Sequence, residues 1–325
     1  MRVRFGSAVV IGKFYPPHRG HRFLIETALA QSRQVTLIVC ERATDTIPAE
    51  LRASWLRELF PAAKVMVVED VYDERDSVLW AELTRRWLGS APDAVFTSEA
   101  YGDPWASALG CVHVEVDRAR IHVPVSASAI RANPYAHWEY LDAPVRAYYA
   151  KRVCVLGAES TGTTTLAAAL AAAFGTVWVP EYGREYSERV MLDPAHVWTT
   201  PEFVHIAEEQ AAREERAARE ANRVLICDTN AFVTSFWHRR YVGTSGFSSQ
   251  ARADLYLLTG DEIPFVQDGF RDGEHVRHDM HRWFEEALRA QEVPWLLVRG
   301  THEERMAAAI AAIDGLFTSP HCAGR

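Results

Sequence analysis

The sequence predicts two consecutive α/β domains, each built on a parallel sheet, and three observations carry that expectation. At 325 residues the chain exceeds what a single hydrophobic core ordinarily organises. Short apolar runs alternate with stretches of helical spacing along its length, the pattern of a parallel sheet buried under helices. A glycine-containing turn joins a strand to a helix twice, at residues 12–21 and 157–166.

Composition narrows the function classes. With 48% hydrophobic and 24% charged residues, both halves have the material for ordinary globular cores. Lys and Arg number 35 against 43 Asp and Glu, a formal net charge of −8. A non-specific nucleic-acid partner is disfavoured, because it demands a basic surface. Five cysteines, Cys40, Cys111, Cys154, Cys227 and Cys322, show no CxxC spacing, and four lie in or beside apolar runs. They read as free thiols in a reducing compartment. A strand begins almost at once, with no signal-peptide core and no 18-residue apolar stretch, so a cytoplasmic protein without a membrane partner is expected. A homo-oligomer is compatible with all of this.

In the first half, residues 7–11 are an apolar strand and residues 23–29 have helical spacing. Between them runs Gly12-Lys13-Phe14-Tyr15-Pro16-Pro17-His18-Arg19-Gly20-His21. Glycines permit close backbone approach, prolines stiffen the turn, and His18 and His21 sit three apart across the helix start. Free N–H groups at a helix N-terminus beside two imidazoles suit a polyphosphate. A surface turn is the lesser alternative for this segment; a zinc site would need further ligands. Residues 34–40, 64–68, 93–97 and 111–116 supply four more strands, with helices at 48–59 and 77–88. The second helix carries Trp80 and Trp87, aromatic surfaces for a flat ring or simply core. At residues 125–131, Ser126 and Ser128 can cap a short helix and Arg131 can reach an anion. The opening turn and this segment fall at the carboxyl edge of the predicted sheet, where ligands of such folds sit.

Residues 133–150 hold two prolines and five aromatics, which marks a packed connector and places the domain boundary at 148/149. The second half opens with a strand at 152–156, the loop Gly157-Ala158-Glu159-Ser160-Thr161-Gly162-Thr163-Thr164-Thr165-Leu166 and an alanine-rich helix to Phe174. Strand, glycine loop and helix are the context of a phosphate-cradling P-loop, yet Thr163 stands where its lysine belongs. Strands at 177–179, 223–228, 253–258 and 294–298 complete a five-strand sheet, with Glu181 and Asp228 at strand ends. The Glu-, Ala- and Arg-rich segment 202–222 reads as a solvated amphipathic helix.

These residues carry a resemblance. The segment 12–21 resembles the phosphate-binding signature of the nucleotidylyltransferase superfamily, and 125–131 its second signature, a hydroxyl pair leading to isoleucine and arginine. With Ser98-Glu99-Ala100-Tyr101-Gly102 and the P-loop half, the chain is similar throughout to the bifunctional nicotinamide mononucleotide adenylyltransferase and ribosylnicotinamide kinase family. The resemblance implies a Rossmann-like nucleotidylyltransferase domain over residues 1–148 and a P-loop kinase domain over 149–325. It implies NAD synthesis from nicotinamide mononucleotide and ATP, and ATP-dependent phosphorylation of ribosylnicotinamide, both with Mg²⁺. His18, His21 and Arg131 would serve adenylyl transfer, with Gly12, Lys13, Phe14, Ser126 and Ser128 on ATP, and Tyr15, Trp80 and Trp87 near nicotinamide. In the second half, residues 157 and 159–165 would hold phosphates, Thr164 and Asp228 the metal, and Glu181 and Tyr182 the nucleoside. Arg271 and Arg277, in a segment like the family's lid, would face ATP. The family's best-known members also carry an N-terminal helix-turn-helix domain; only eleven residues precede Gly12, so a transcriptional role is not expected. Thr163 raises the alternative of an adenylyltransferase with an impaired, kinase-like regulatory half. A non-catalytic nicotinamide-nucleotide sensor is a further alternative.

Overall fold

The structure, a computed structural model, describes residues 3–318 except 74, 192–194, 244–246, 248–250 and 268–272. The chain divides into two compact units at 145/146.

The first unit runs β1 (Phe5–Gly12), α1 (Arg19–Gln31), β2 (Ser32–Glu41), α2 (Ala49–Leu59), β3 (Lys64–Glu69), α3 (Ser77–Leu88), β4 (Ala94–Thr97), α4 (Gly102–Leu109), β5 (Val112–Glu115) and α5 (Ala127–Ala132). Its five strands are all parallel in the order β3-β2-β1-β4-β5. Alternate residues of β1 serve opposite faces. Ala8 and Val10 pack with Leu24, Ile25 and Leu56 of α1 and α2, while Val9 packs with Ala81 and Trp105 of α3 and α4. Covering both faces is what makes these strands read as continuous apolar runs. Because β1 lies between β2 and β4, the turn after it opens at the point where strand order reverses, the ligand crevice of doubly wound sheets.

The second unit begins within α6 (Ala143–Tyr149) and continues β6 (Lys151–Leu156), α7 (Thr163–Phe174), β7 (Trp178–Val179), α8 (Tyr182–Val190), α9 (Thr200–Ala218), β8 (Val224–Asp228), α10 (Ala231–Val242), β9 (Leu255–Thr259), α11 (Arg277–Arg289), β10 (Trp295–Val298) and α12 (His302–Thr318). This sheet is also wholly parallel, ordered β10-β9-β6-β8-β7. One face packs on α7 and α12 through Leu166, Leu170, Ala309 and Ile313, the other on α10 and α11 through Val233, Phe236, Met280 and Phe284. The glycine loop leaves β6 between β8 and β9, again at the reversal. The solvated reading of residues 202–222 is corrected: α9 buries Phe203, Ile206, Ala207, Gln210, Glu214 and Ala218. Its Gln210 reaches the candidate site. Among the described residues no helix is long and apolar enough to cross a membrane.

Candidate active sites

In the first unit a cavity of about 670 Å³ lies at the carboxyl edge of the sheet, lined among others by Gly12, Lys13, Phe14, His21, Ser128 and Arg131. His18 is the N-cap of α1, its Nδ1 accepting from Gly20 N–H at 3.0 Å, which leaves Nε2 to carry the proton. The two imidazoles lie 4.0 Å apart between ring centroids. Burial, then the Arg120 charge, pushes His18 down to about 4. Burial, then His18 and Arg120, pushes His21 well below the usual histidine range. Both are therefore neutral hydrogen-bonding groups at pH 7, and the positive charge comes from Lys13 and Arg131. His21 Nδ1 is buried without a partner, while His18 is not among the residues that line the cavity.

A Cβ added at Gly20 would sit 2.8 Å from His18 Cε1, so the signature glycine makes room for the capping ring. Gly20→Ala is expected to displace His18 and lower activity at this cavity by about tenfold, with folding retained, as a misplaced positioning group does. Steady-state kinetics beside a thermal melt checks this.

The second signature divides its labour. Ser126 caps α5, accepting from Ala129 N–H at 3.1 Å, and does not line the cavity. Ser128 lines it and accepts from Arg131 Nη2 at 3.1 Å. The Arg131 guanidinium also donates to Tyr15 O and lies 4.6 Å from the centre of the Tyr15 ring. Arg52, fully buried, approaches the same ring at 5.2 Å, donates to the carbonyls of Lys13, Cys40 and Ile47, and pairs with Asp45 at 2.9 Å. Tyr15 lines the cavity, with its hydroxyl 2.6 Å from Thr46 Oγ1 and both guanidiniums beside its ring. Trp80 lines the cavity; Trp87 does not, and packs against the core beneath it. Arg52, Asp70, Trp105 and Arg120 escape sequence reasoning. Only Arg52 left a signal, a cation on the apolar stripe formed by Ala49, Ala53 and Leu56.

The second unit holds a cavity of about 390 Å³ at the glycine loop. Gly162 has φ 84° and Ser160 φ 60°. A Cβ at Gly157 would fall 2.0 Å from Thr259 Oγ1, so the loop lies tight on β9. Gly157, Glu159, Ser160, Thr163 and Thr164 line the cavity. Thr161 is a structural tie instead, buried and bonded to Ala158 O and Thr259 Oγ1 at 2.7 Å each. Thr165 is exposed on α7 and does not line the cavity. Arginines grip the loop from outside: Arg240 donates to Glu159 at 2.9 Å, Arg277 to Ser160 O at 3.2 Å and Arg305 to Thr161 O at 2.7 Å. Arg277 thus braces the loop and is absent from the cavity lining; Arg271 lies outside the described residues.

Thr164 Oγ1 donates to Asp228 Oδ2 at 2.5 Å. Burial pushes Asp228 up, opposed by the hydroxyls of Thr164 and Thr163. Glu181, also on the cavity wall, is pushed up to about 8 by burial and then by Asp228. Among the described residues no three His, Cys, Asp or Glu gather as a closed metal site. A nucleotide Mg²⁺ needs only one or two carboxylates beside substrate oxygens, and the Thr164–Asp228 pair next to a repelling second carboxylate fits that ion.

Tyr182 turns away from the cavity. Its N–H donates to Gln210, its hydroxyl meets His205, and Arg213 covers its ring at 4.3 Å. The wall carries Trp198, Trp237 and Tyr241, with Tyr241 at 5.5 Å and 30° to Trp198 and at 6.5 Å and 20° to Trp237. Trp237 and Tyr241 are one turn apart on α10, and Trp198, just before α9, is brought to them from far away in sequence.

Comparisons with known proteins agree with this geometry. The family described as AAA domain matches residues 152–305. The trifunctional NAD biosynthesis/regulator protein NadR of Escherichia coli (strain K12) is 30% identical over 292 residues, which cover 81% of this chain and 71% of that protein. Two crystal structures share the fold over 98% of both chains: a NadR protein in complex with NR, with TM-score 0.79 and 23% identity, and one in complex with NAD and AMP-PNP, with TM-score 0.72 and 22% identity. Two parallel α/β sheets with a nucleotide crevice at each reversal, and this identity over this length, place the chain in the family of the NAD biosynthesis/regulator protein NadR.

Proposed function

We propose that residues 1–148 transfer the adenylyl group of ATP to nicotinamide mononucleotide, giving NAD and pyrophosphate, and that residues 149–325 phosphorylate ribosylnicotinamide. The observation that carries this reading is the pair of cavities, each at the reversal of its own sheet. One is lined by His21, Ser128, Arg131 and an indole, the other by a glycine loop, an acid pair and an aromatic wall.

In adenylyl transfer, the mononucleotide's phosphate oxygen forms a bond to the α-phosphorus as the bond to the β-phosphate oxygen breaks. The nucleophile is already anionic, so catalysis reduces to alignment and stabilisation of growing charge. Lys13, Arg131 and Ser128 supply charge and hydroxyl contacts to the triphosphate. His21 presents a neutral imidazole, whose desolvation is tolerable where that of a cation is not.

In the kinase, the nucleoside hydroxyl oxygen forms a bond to the γ-phosphorus as the bond from that phosphorus to the β-phosphate oxygen breaks, ADP leaves, and the hydroxyl proton passes to Glu181. The aromatic wall receives the pyridinium ring, a cation that π-faces favour. Mg²⁺, when bound, neutralises phosphate charge, and Thr164 and Asp228 would hold it.

Product identification tests both halves. Nicotinamide mononucleotide with Mg-ATP should yield NAD, and ribosylnicotinamide with Mg-ATP should yield the mononucleotide. No NAD in the first mixture defeats the adenylyltransferase reading. NAD there with nothing from the second would favour the reading that Thr163 supports, an adenylyltransferase with an impaired kinase-like half. Thr163→Lys is expected to raise nucleoside phosphorylation by about a hundredfold, since it restores one transition-state contact to the β- and γ-phosphates. An unchanged rate would mean that the missing charge does not limit the kinase.

A further inference from the structure

A buried polar atom without a partner is costly, so its presence on a cavity wall points to what the cavity receives. Besides His21 Nδ1, two such atoms belong to residues that line the first unit's cavity: Asp70 Oδ1 and Trp105 Nε1. Asp70 directly follows β3 at the carboxyl edge and is 8% exposed. Its Oδ2 accepts from Arg42 Nε at 2.7 Å and lies 4.0 Å from Lys13 Nζ. Trp105, on α4 and 2% exposed, shares an apolar cluster with Val68 and Trp80. Asp70 and Trp105 thus line the same cavity as the indole of Trp80.

A carboxylate oxygen only accepts and an indole N–H only donates. A primary amide carries an acceptor and a donor on one carbon and satisfies both. We propose that Asp70 and Trp105 are the specificity-determining pair for the carboxamide of the mononucleotide. Trp105 Nε1–H donates to the amide oxygen, Asp70 Oδ1 accepts from the amide nitrogen, and Trp80 flanks the ring. This rests on the adenylyltransferase reading of that cavity and adds its discrimination. The acid form of the mononucleotide can accept from Trp105 but sets an oxygen against Asp70 Oδ1 with no hydrogen between them. Sites that hydrogen-bond a substrate group reject the analogue lacking it.

The test measures kcat/KM of the full chain with Mg-ATP and either the amide or the acid mononucleotide. Asp70→Asn is expected to raise acid use relative to amide by about tenfold or more, by removing the acceptor-only carboxylate. Trp105→Phe removes the unpartnered N–H together with one ring of a buried side chain, so some loss of melting temperature accompanies it. Assayed well below its melt, it is expected to raise KM for the amide by about tenfold with kcat little changed, a split that a purely structural role would not produce. Arg42→Gln breaks the Asp70 ion pair from the other side and should leave the amide-to-acid ratio alone. If Arg42→Gln shifts that ratio as Asp70→Asn does, if Asp70→Asn keeps it within about twofold, or if Trp105→Phe leaves KM for the amide unchanged, the pairing is overturned. Wild-type protein that makes dinucleotide from neither compound defeats the adenylyltransferase reading itself. The pair is then judged by calorimetric titration of nicotinamide mononucleotide alone: weaker binding to Trp105→Phe supports it and equal binding overturns it.

Discussion

His21→Ala is expected to lower kcat for NAD formation by about 10²–10³, the usual cost of removing one preorganised donor from a site of developing charge. The ring is packed between Phe14, at 5.0 Å, and His18, at 4.0 Å, and its Nδ1 bonds to nothing in the protein. The substitution therefore costs packing but no internal hydrogen bond, and the fold should survive it. Activity within about threefold of wild type in a folded variant would remove His21 from the reaction.

The same pair sets an acid limit. An unfolded histidine binds its proton below about pH 6.5, whereas folded His18 does so only near 4, so the unfolded chain holds more protons between those values. Stability rises with pH across that window and is lost as pH falls from 6.5 towards 4. Protonating His18 costs about 3 kcal/mol more in the folded than in the unfolded chain, and that much stability is gone once pH falls below about 4. Urea melts at stepped pH would show the loss, and His18→Gln should reduce it, leaving the part that comes from His21.

Glu181→Gln is expected to lower nucleoside phosphorylation by about 10²–10³, within the range of general-base loss, and to leave NAD formation untouched. The carboxyl is protonated up to about pH 8 in the free protein, so wild-type kcat/KM should climb towards that pH and then level off, while the variant stays low and flat. Stability runs the opposite way to the histidine case. Between about 4.5 and 8 the folded chain holds a proton on Glu181 that the unfolded chain has released, so this group makes the fold weaker as pH rises through that range. Glu181→Gln removes that penalty and should melt higher than wild type at pH 8. A variant with full kinase activity would assign the base to another group.

Most of the architecture was legible in the sequence. Strands β4, β6, β8 and β9 are buried along nearly their whole length and read as apolar runs, and both glycine turns announce a strand-to-helix crossing. The candidate sites were legible only where the chain itself brings residues together. His18, His21, Lys13 and Phe14 share one turn, Ser128 and Arg131 one helical turn, and Thr163 and Thr164 one loop. Residues that resembled ligand contacts by type were redirected by local bonding. Ser126 caps α5, Thr161 ties the loop to β9, and Tyr182 holds a guanidinium.

By itself, then, the sequence determined two parallel α/β units, a phosphate-binding turn in each and the absence of the P-loop lysine, because backbone conformation and hydrophobic period are local properties. Tertiary structure alone decided which side chains face the two cavities and in what protonation state. Burial strips His18 and His21 of their charge and leaves Glu181 its proton. Asp70 from the end of β3 and Trp105 from α4 line one cavity of a sheet whose strands run in the order β3-β2-β1-β4-β5. Strand order is a long-range choice that no local window of sequence contains, and desolvation depends on everything packed around a group.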